Sequence, residues 1–400
     1  MKLFKSSAFL GAAFLMATSA IGPGFITQTT VFTQQLTTSF GFVILMSILL
    51  DIAAQMNIWR IITIAEKPAP FIANDVFKGS GYVLTVLVMF GGLAFNIGNI
   101  AGAGLGINVL TSIDSDLAHP TFGVLISMVI ALIVFWVKEI GKAIDWFSKI
   151  MGLLMIVLTA WIAKKSNPPV FEAIKHSVFP DAIDARAIIT LVGGTVGGYI
   201  SFAGAHRLLD AGIKGTDSIK QVTNASIKGI ALAGVMRILL FLAALGVVSH
   251  GVVLSAANPA ASVFQSAAGS LGQFFFGLVL WAAAITSVVG AAYTSVSFLK
   301  VIHPFSLKQE RVLISTFIVF STGIFLLIGQ PVRVLVAVGA LNGVILPFAL
   351  ALMLLAANKK NYLQHYQHPR WLSVIGWLVV AVMTWLSILL FISEIPKLWR

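Results

Sequence analysis

The run Gly193-Gly194-Thr195-Val196-Gly197-Gly198 holds four glycines in six residues and leads into Tyr199 and Ser201. A second interruption, Ile21-Gly22-Pro23-Gly24-Phe25, combines a proline, which lacks a backbone donor, with two glycines that permit unwinding. Thr27, Gln28, Thr29, Thr30, Thr33, Gln34 and Gln35 follow it. Inside a bilayer, backbone is left unpaired only where it lines a cavity or a site. Half-helices that begin at such a break present N–H groups with partial positive charge, which seat a small anion or the carboxylate of a zwitterion. The expected substrate-binding residues are therefore Gly22, Gly24, Thr27, Gln28, Gly197, Gly198, Tyr199 and Ser201. Tyr199 would supply a ring wall and a hydroxyl, and Gln28 an amide.

Charged side chains within apolar segments are costly and default to functional candidates. Asp51 lies one helical turn from Gln55, and Lys149 and Arg237 are the candidate partners. The sequence does not choose between an Asp51–Lys149 and an Asp51–Arg237 pair, and the plain reading of both cations is snorkelling near a helix end. Asp51 reads as a coupling or gating acid. His206, Arg207 and Asp210 mark either a gate or a solvated helix end. Asn342 is a lesser site candidate, and His365 and His368 read as solvent-facing loop residues.

These residues require long apolar elements to hold them. Of 400 residues, 58% are apolar and 10% charged, and mean hydropathy is +0.98. Soluble proteins carry about 25% charged residues. The net charge of +12 does not indicate nucleic acid, because the basic residues stand singly between apolar blocks. With no cysteine, disulfides and thiolate chemistry are excluded. Crossing the hydrocarbon core takes about 20 apolar residues, and eleven segments qualify: 7–37, 40–64, 80–110, 120–137, 144–163, 187–212, 226–250, 269–299, 311–329, 333–357 and 371–393. The start of the chain resembles a signal peptide ending near Ala17-Thr18-Ser19-Ala20, but it reads better as the first half of helix 1.

The two interruptions open segments 1 and 6, the first members of two groups of five. Matched Gly/Pro breaks in two halves point to an inverted-repeat transporter with a midplane site. The expected architecture is an all-α polytopic membrane protein with 11 transmembrane helices, helices 1 and 6 broken. One transmembrane domain spans 1–400: a first repeat over 1–165, a second over 186–357 and an extra helix at 371–393. Gly98, Gly102 and Gly106, four apart, read as helix-packing contacts. Lys and Arg are more than twice as frequent in the loops that are inner when the N-terminus is cytoplasmic, which places the C-terminus outside. The expected location is a bacterial inner membrane.

Gly11-Ala12-Ala13-Phe14 through Ile21-Gly22-Pro23-Gly24-Phe25, Leu191-Val192-Gly193-Gly194-Thr195-Val196 and Leu346-Pro347-Phe348-Ala349-Leu350 together resemble helices 1, 6 and 10 of the NRAMP family of divalent-metal transporters. The resemblance covers nearly the whole chain and implies a LeuT-like 5+5 inverted repeat with alternating access. It also implies which residues are missing. Gly22 stands where the family has its metal-binding Asp, Phe25 where it has Asn, and Gly197 and Tyr199 where helix 6 has Met and His. Asn96 and Asn99 stand at the acidic pair of helix 3, and join Asp51, Lys149 and Arg237 as coupling or gating candidates.

The leading expectation is a secondary-active transporter, or symporter, of a small carboxylate or amino-acid-like solute. For NRAMP-like proteins of this branch, the resemblance implies 5-oxoproline. The alternative is a divalent metal cation of the Mn, Fe or Mg type held in an atypical site. A channel, a sensor and an enzyme rank below both. No Ser-His-Asp arrangement, carboxylate dyad or phosphate-binding motif appears in the chain. Neither a cofactor nor a bound structural metal is expected. The partners are the substrate and the lipid bilayer, with no nucleic acid, and the oligomeric state is open.

Overall fold

The structure is a computed structural model. It describes residues 21–116, 119–302, 306–359, 362–363 and 366–394, with backbone only at 138–145, 147–149, 207, 301 and 394. Fourteen α-helices run through the described residues: α1 (Pro23–Leu36), α2 (Phe40–Ala65), α3 (Ala69–Val76), α4 (Ser80–Thr111), α5 (Thr121–Trp136), α6 (Lys138–Lys165), α7 (Val170–Val178), α8 (Ala185–Thr195), α9 (Tyr199–Asp210), α10 (Ile219–Ser249), α11 (Pro259–Phe298), α12 (Leu307–Ile328), α13 (Pro331–Asn358) and α14 (Arg370–Glu394). Every expected segment has a helix in its place. Eight helices among the described residues are long and apolar enough to cross a membrane, and nine if a bent pair counts as one span. The 16-residue α5 is shorter than a full crossing.

Local signals set the ends. Proline occupies the first turn of α1, α11 and α13, where a missing N–H costs nothing. Asp184 caps α8 through Ala187 N at 3.1 Å, Asn258 caps α11 through Ala261 N at 3.1 Å, and Ser306 and Gln309 form a capping box on α12.

Three expectations change in detail. The 164–186 connection contains α7, which folds back from α6 at 107° and packs on α2. Segment 8 begins ten residues early at Pro259, and Gly269, at φ 67°, is a kink inside α11. Gly98, Gly102 and Gly106 pack against three different neighbours rather than one. They meet α13 at Leu335, α1 at Pro23 and α11 at the Trp281 backbone. The first half of helix 1, residues 7–20, lies outside the described residues, as does the signal-peptide-like stretch.

The α8–α9 stretch is the axis of the bundle and is buried along its apolar length. One apolar cluster joins α2, α8, α9, α13 and α14; a second joins α6, α10 and α11; a third joins α4, α5, α11 and α12. Helix α1 bridges two of them, with Phe32 in the first and Phe25 and Ile26 in the second.

Candidate functional site

Helix α8 stops at Thr195 and α9 starts at Tyr199, so Val196, Gly197 and Gly198 form a break in the middle of the bundle. Gly198 has φ 53°, a left-handed conformation that favours glycine. The gap is bridged by the Ser201 hydroxyl, which donates to Val196 O at 2.7 Å, and by Ile200 N, which donates to Gly197 O at 3.2 Å. Trp59 on α2 fixes the far side, its indole N–H donating to Ser201 O at 2.9 Å. Ser201 therefore holds the break together with both its hydroxyl and its carbonyl.

Helix α1 runs beside the break. Gly22 is its N-cap, extended at φ −100°, ψ −175°, with no side-chain cap. Gly24 lies in the first turn with room for a Cβ, its nearest contact at 3.4 Å, so the structure gives no steric reason for glycine there. Thr27 and Gln28 are buried. Gln28 Nε2 donates to Leu335 O on α13 at 2.8 Å, and its Oε1, facing Gly194, has no partner. On α13, Asn342 Nδ2 donates to Gly91 O (3.1 Å) and Val338 O (3.0 Å). Its Oδ1 faces Gly198 without a partner. The buried Thr190 hydroxyl on α8 is also unpartnered, and the residue packs against Gly339 of α13. Glycines let these helices meet at backbone distance, since a Cβ on Gly193 would collide with Gly339 and Gly343 of α13. Asn342, a lesser candidate from the sequence, thus has a larger place at the break.

Tyr199 packs edge-on to Phe95 at 5.2 Å, and Asn99 of α4, whose buried Nδ2 has no hydrogen-bond partner, lies near its hydroxyl. Asn96, one turn away, donates instead to Ser321 Oγ on α12 at 2.9 Å. The two asparagines therefore serve different neighbours: Asn99 the break, Asn96 the α4–α12 contact.

The buried charge pair is resolved. Asp51 on α2 lies within electrostatic range of the Arg237 guanidinium on α10, near Thr195, the last residue of α8. Arg237 Nη1 donates to Thr195 Oγ1 at 3.0 Å, and its guanidinium lies 4.1 Å from the centroid of the Phe25 ring. Arg237 is thus a buried residue of the break and does not snorkel. The Lys149 and Arg207 side chains and all of His365 lie outside the described residues.

A cavity of about 200 Å³ opens where α9 and α11 end, lined by Ala203, His206, Asp210, Thr294 and Phe298 among others. His206 stacks on Phe298 at 5.0 Å and accepts from Ala69 N at 3.1 Å.

A model of the family described as natural resistance-associated macrophage protein-like matches residues 13–393. The chain belongs to the Nramp family. It is 57% identical over 393 residues to the uncharacterized membrane protein YcsG of Bacillus subtilis, covering 98% of this chain and 96% of that protein. The divalent metal cation transporter MntH of Clostridium acetobutylicum is 23% identical over 397 residues, covering 96% and 90%. Among solved structures, the manganese transporter of Eremococcus coleocola matches with a TM-score of 0.75 at 16% identity, covering 98% of this chain and 87% of that one. This Nramp chain is an integral membrane transporter with a LeuT-like fold.

Several residues of this Nramp protein were misjudged or missed from sequence. Among the described residues, two acids besides Asp51 are buried. Asp114 accepts from Phe122 N and Gly123 N, both at 2.9 Å, and Glu310 pairs with Lys300 at 2.9 Å. Both are helix-end devices. His368 is half-buried and donates to Asn57 Oδ1 at 2.8 Å, which ties the start of α14 to α2. Burial, reinforced by the Arg60 charge, holds its imidazole down at about 4. Since the unfolded chain titrates near 6.5, it binds the extra proton first. The contribution is full above about 6.5 and fades as pH falls toward 4. The unfolding midpoint of the wild type is expected to drop between pH 7 and pH 5 by the equivalent of about 1 kcal/mol, discounted for partial exposure. His368→Gln should make that slope shallower, and an unchanged slope would refute the assignment.

Proposed function

We propose that this protein is a secondary-active transporter working by alternating access around the α8–α9 break, and that its cargo is a hard divalent cation of the Mn²⁺ or Mg²⁺ type. It would sit in a bacterial inner membrane with its N-terminus in the cytoplasm and its C-terminus outside, so that the cavity at His206 and Asp210 faces the cytoplasm.

The observation that carries this reading is the two unpartnered buried oxygens beside the break of an Nramp chain: Gln28 Oε1, facing Gly194, and Asn342 Oδ1, facing Gly198. Hard cations take oxygen ligands, and Mg²⁺ in particular keeps part of its water shell. Between residues 21–36 and 185–205 there is no Met, Cys or His, so thioether, thiolate and imidazole selection of softer ions has no residue to act through. The relatives whose names state a cargo favour a metal as well: Clostridium MntH is named for divalent cations and the Eremococcus protein for manganese. The leading sequence expectation, a small carboxylate or amino-acid-like solute such as 5-oxoproline, has a weaker likeness behind it: the structure of MhsT in complex with L-phenylalanine matches at a TM-score of 0.67 and 18% identity. One observation keeps it as the second reading. No group of three His, Cys, Asp or Glu suited to a metal occurs among the described residues.

Uptake into proteoliposomes decides between them. Saturable entry of radiolabelled Mn²⁺, competed by Mg²⁺ and weakly by Cd²⁺, is the expected result. Entry of labelled 5-oxoproline with no entry of Mn²⁺ would transfer the conclusion to the organic solute.

A further inference from the structure

Arg237 is the least satisfied polar side chain at the break. It is 2% exposed, and while Nη1 reaches Thr195, both Nε and Nη2 have no partner. A guanidinium presents five N–H donors in a planar fork, and three of them meet nothing here. Asp51 lies within charge reach, but its Oδ1 is also unpartnered. The two are therefore not joined oxygen-to-nitrogen along both edges, as a paired Arg and carboxylate usually are. A second electropositive element converges on the same place. The guanidinium rests on Phe25, in the first turn of α1, whose N-cap Gly22 has no side chain to cap it. Helix N-termini carry positive partial charge and unmet N–H groups. Guanidinium and helix end come from distant parts of the chain, and Asp51 is the carboxylate that faces them.

We propose that Arg237, Thr195 and the first turn of α1 form a binding site for a small planar oxyanion, a carboxylate or bicarbonate, whose two oxygens match the open edge of the guanidinium. Thr195 anchors one arm of the fork through Nη1, which leaves Nε and Nη2 for the ligand. This goes beyond the cation reading and rests only on the position of the break. The anion has two sources: the carboxylate of the cargo itself, or an accompanying ion that screens Arg237 while a cation is present.

The test uses the purified full-length protein in chloride-free buffer, titrated with sodium acetate and sodium bicarbonate, with sodium chloride at equal ionic strength as control. The unfolding midpoint of the wild type should rise saturably, by several degrees, with acetate or bicarbonate and less with chloride, whose single sphere cannot bridge two donors. Arg237→Lys keeps the charge and loses the fork, and should weaken the response at least tenfold; Arg237→Gln should remove it. If Arg237→Gln does not fold, Arg237→Lys and Thr195→Val provide the comparison. Equal midpoints in all three salts, or an undiminished response in Arg237→Lys, would overturn the site. Labelled acetate accumulating in proteoliposomes identifies cargo, and binding without accumulation identifies an accompanying ion. Anion binding without Mn²⁺ uptake sinks the cation reading and leaves this site standing; Mn²⁺ uptake without anion binding does the reverse.

Discussion

Gly197→Val is expected to abolish transport while leaving membrane insertion intact. A Cβ at residue 197 would lie 2.7 Å from Asn342 O and 2.5 Å from Gly193 Cα. Both are backbone atoms of closely packed helices, so no side chain can rotate out of the way. The α8–α9 break and α13 would have to part by a substantial fraction of an ångström, and a well-packed interior resists such a shift. Insertion depends instead on the apolar content of the segment, which valine increases. Gly290→Val is the control, because a Cβ there meets nothing within 4 Å. Proteoliposome uptake alongside the membrane-fraction yield checks both halves. Uptake above about a tenth of wild type would place the site elsewhere.

The second large effect concerns the buried charges. Asp51→Leu should lower stability by about 3–5 kcal/mol, since it leaves Arg237 in the interior without its counter-charge. The double replacement Asp51→Leu with Arg237→Met should recover most of that loss, because a buried ion pair is worth little more than a well-packed apolar pair. Thermal unfolding of the wild type, the two single variants and the double variant forms a cycle that isolates the coupling. Additive losses would mean that Asp51 and Arg237 do not act as a pair.

Much of this was legible in the sequence because it is written locally. Hydropathy located the helices, and proline and glycine marked the start of α1 and the break at 196–198, whereas the start of α11 at Pro259 was missed. What escaped was tertiary. Nothing near Asp51 in the chain distinguishes Arg237 from Lys149 as its partner, because that choice depends on how α2 and α10 are laid side by side. Asn342 gained its place only because α13 passes the break, with Gly339 and Gly343 allowing contact. His368 looked like a loop residue until α14 folded against α2. Likewise, the bend between α6 and α7 is a matter of packing: Pro168 and Pro169 end one helix but do not say where the next points.

The α8–α9 break, with Gln28 and Asn342 beside it, is the place proposed for cargo to meet the protein. The chain has no cysteine, so single cysteines can be introduced without a background. Gln28→Cys and Asn342→Cys, exposed to a membrane-impermeant thiol reagent added from one side and then the other, are expected to be modified from both, in alternation as the transporter cycles. Ala203→Cys in the cavity wall serves as the positive control. If Ala203→Cys reacts while Gln28→Cys and Asn342→Cys stay silent from either side, the break is sealed packing and the account is wrong.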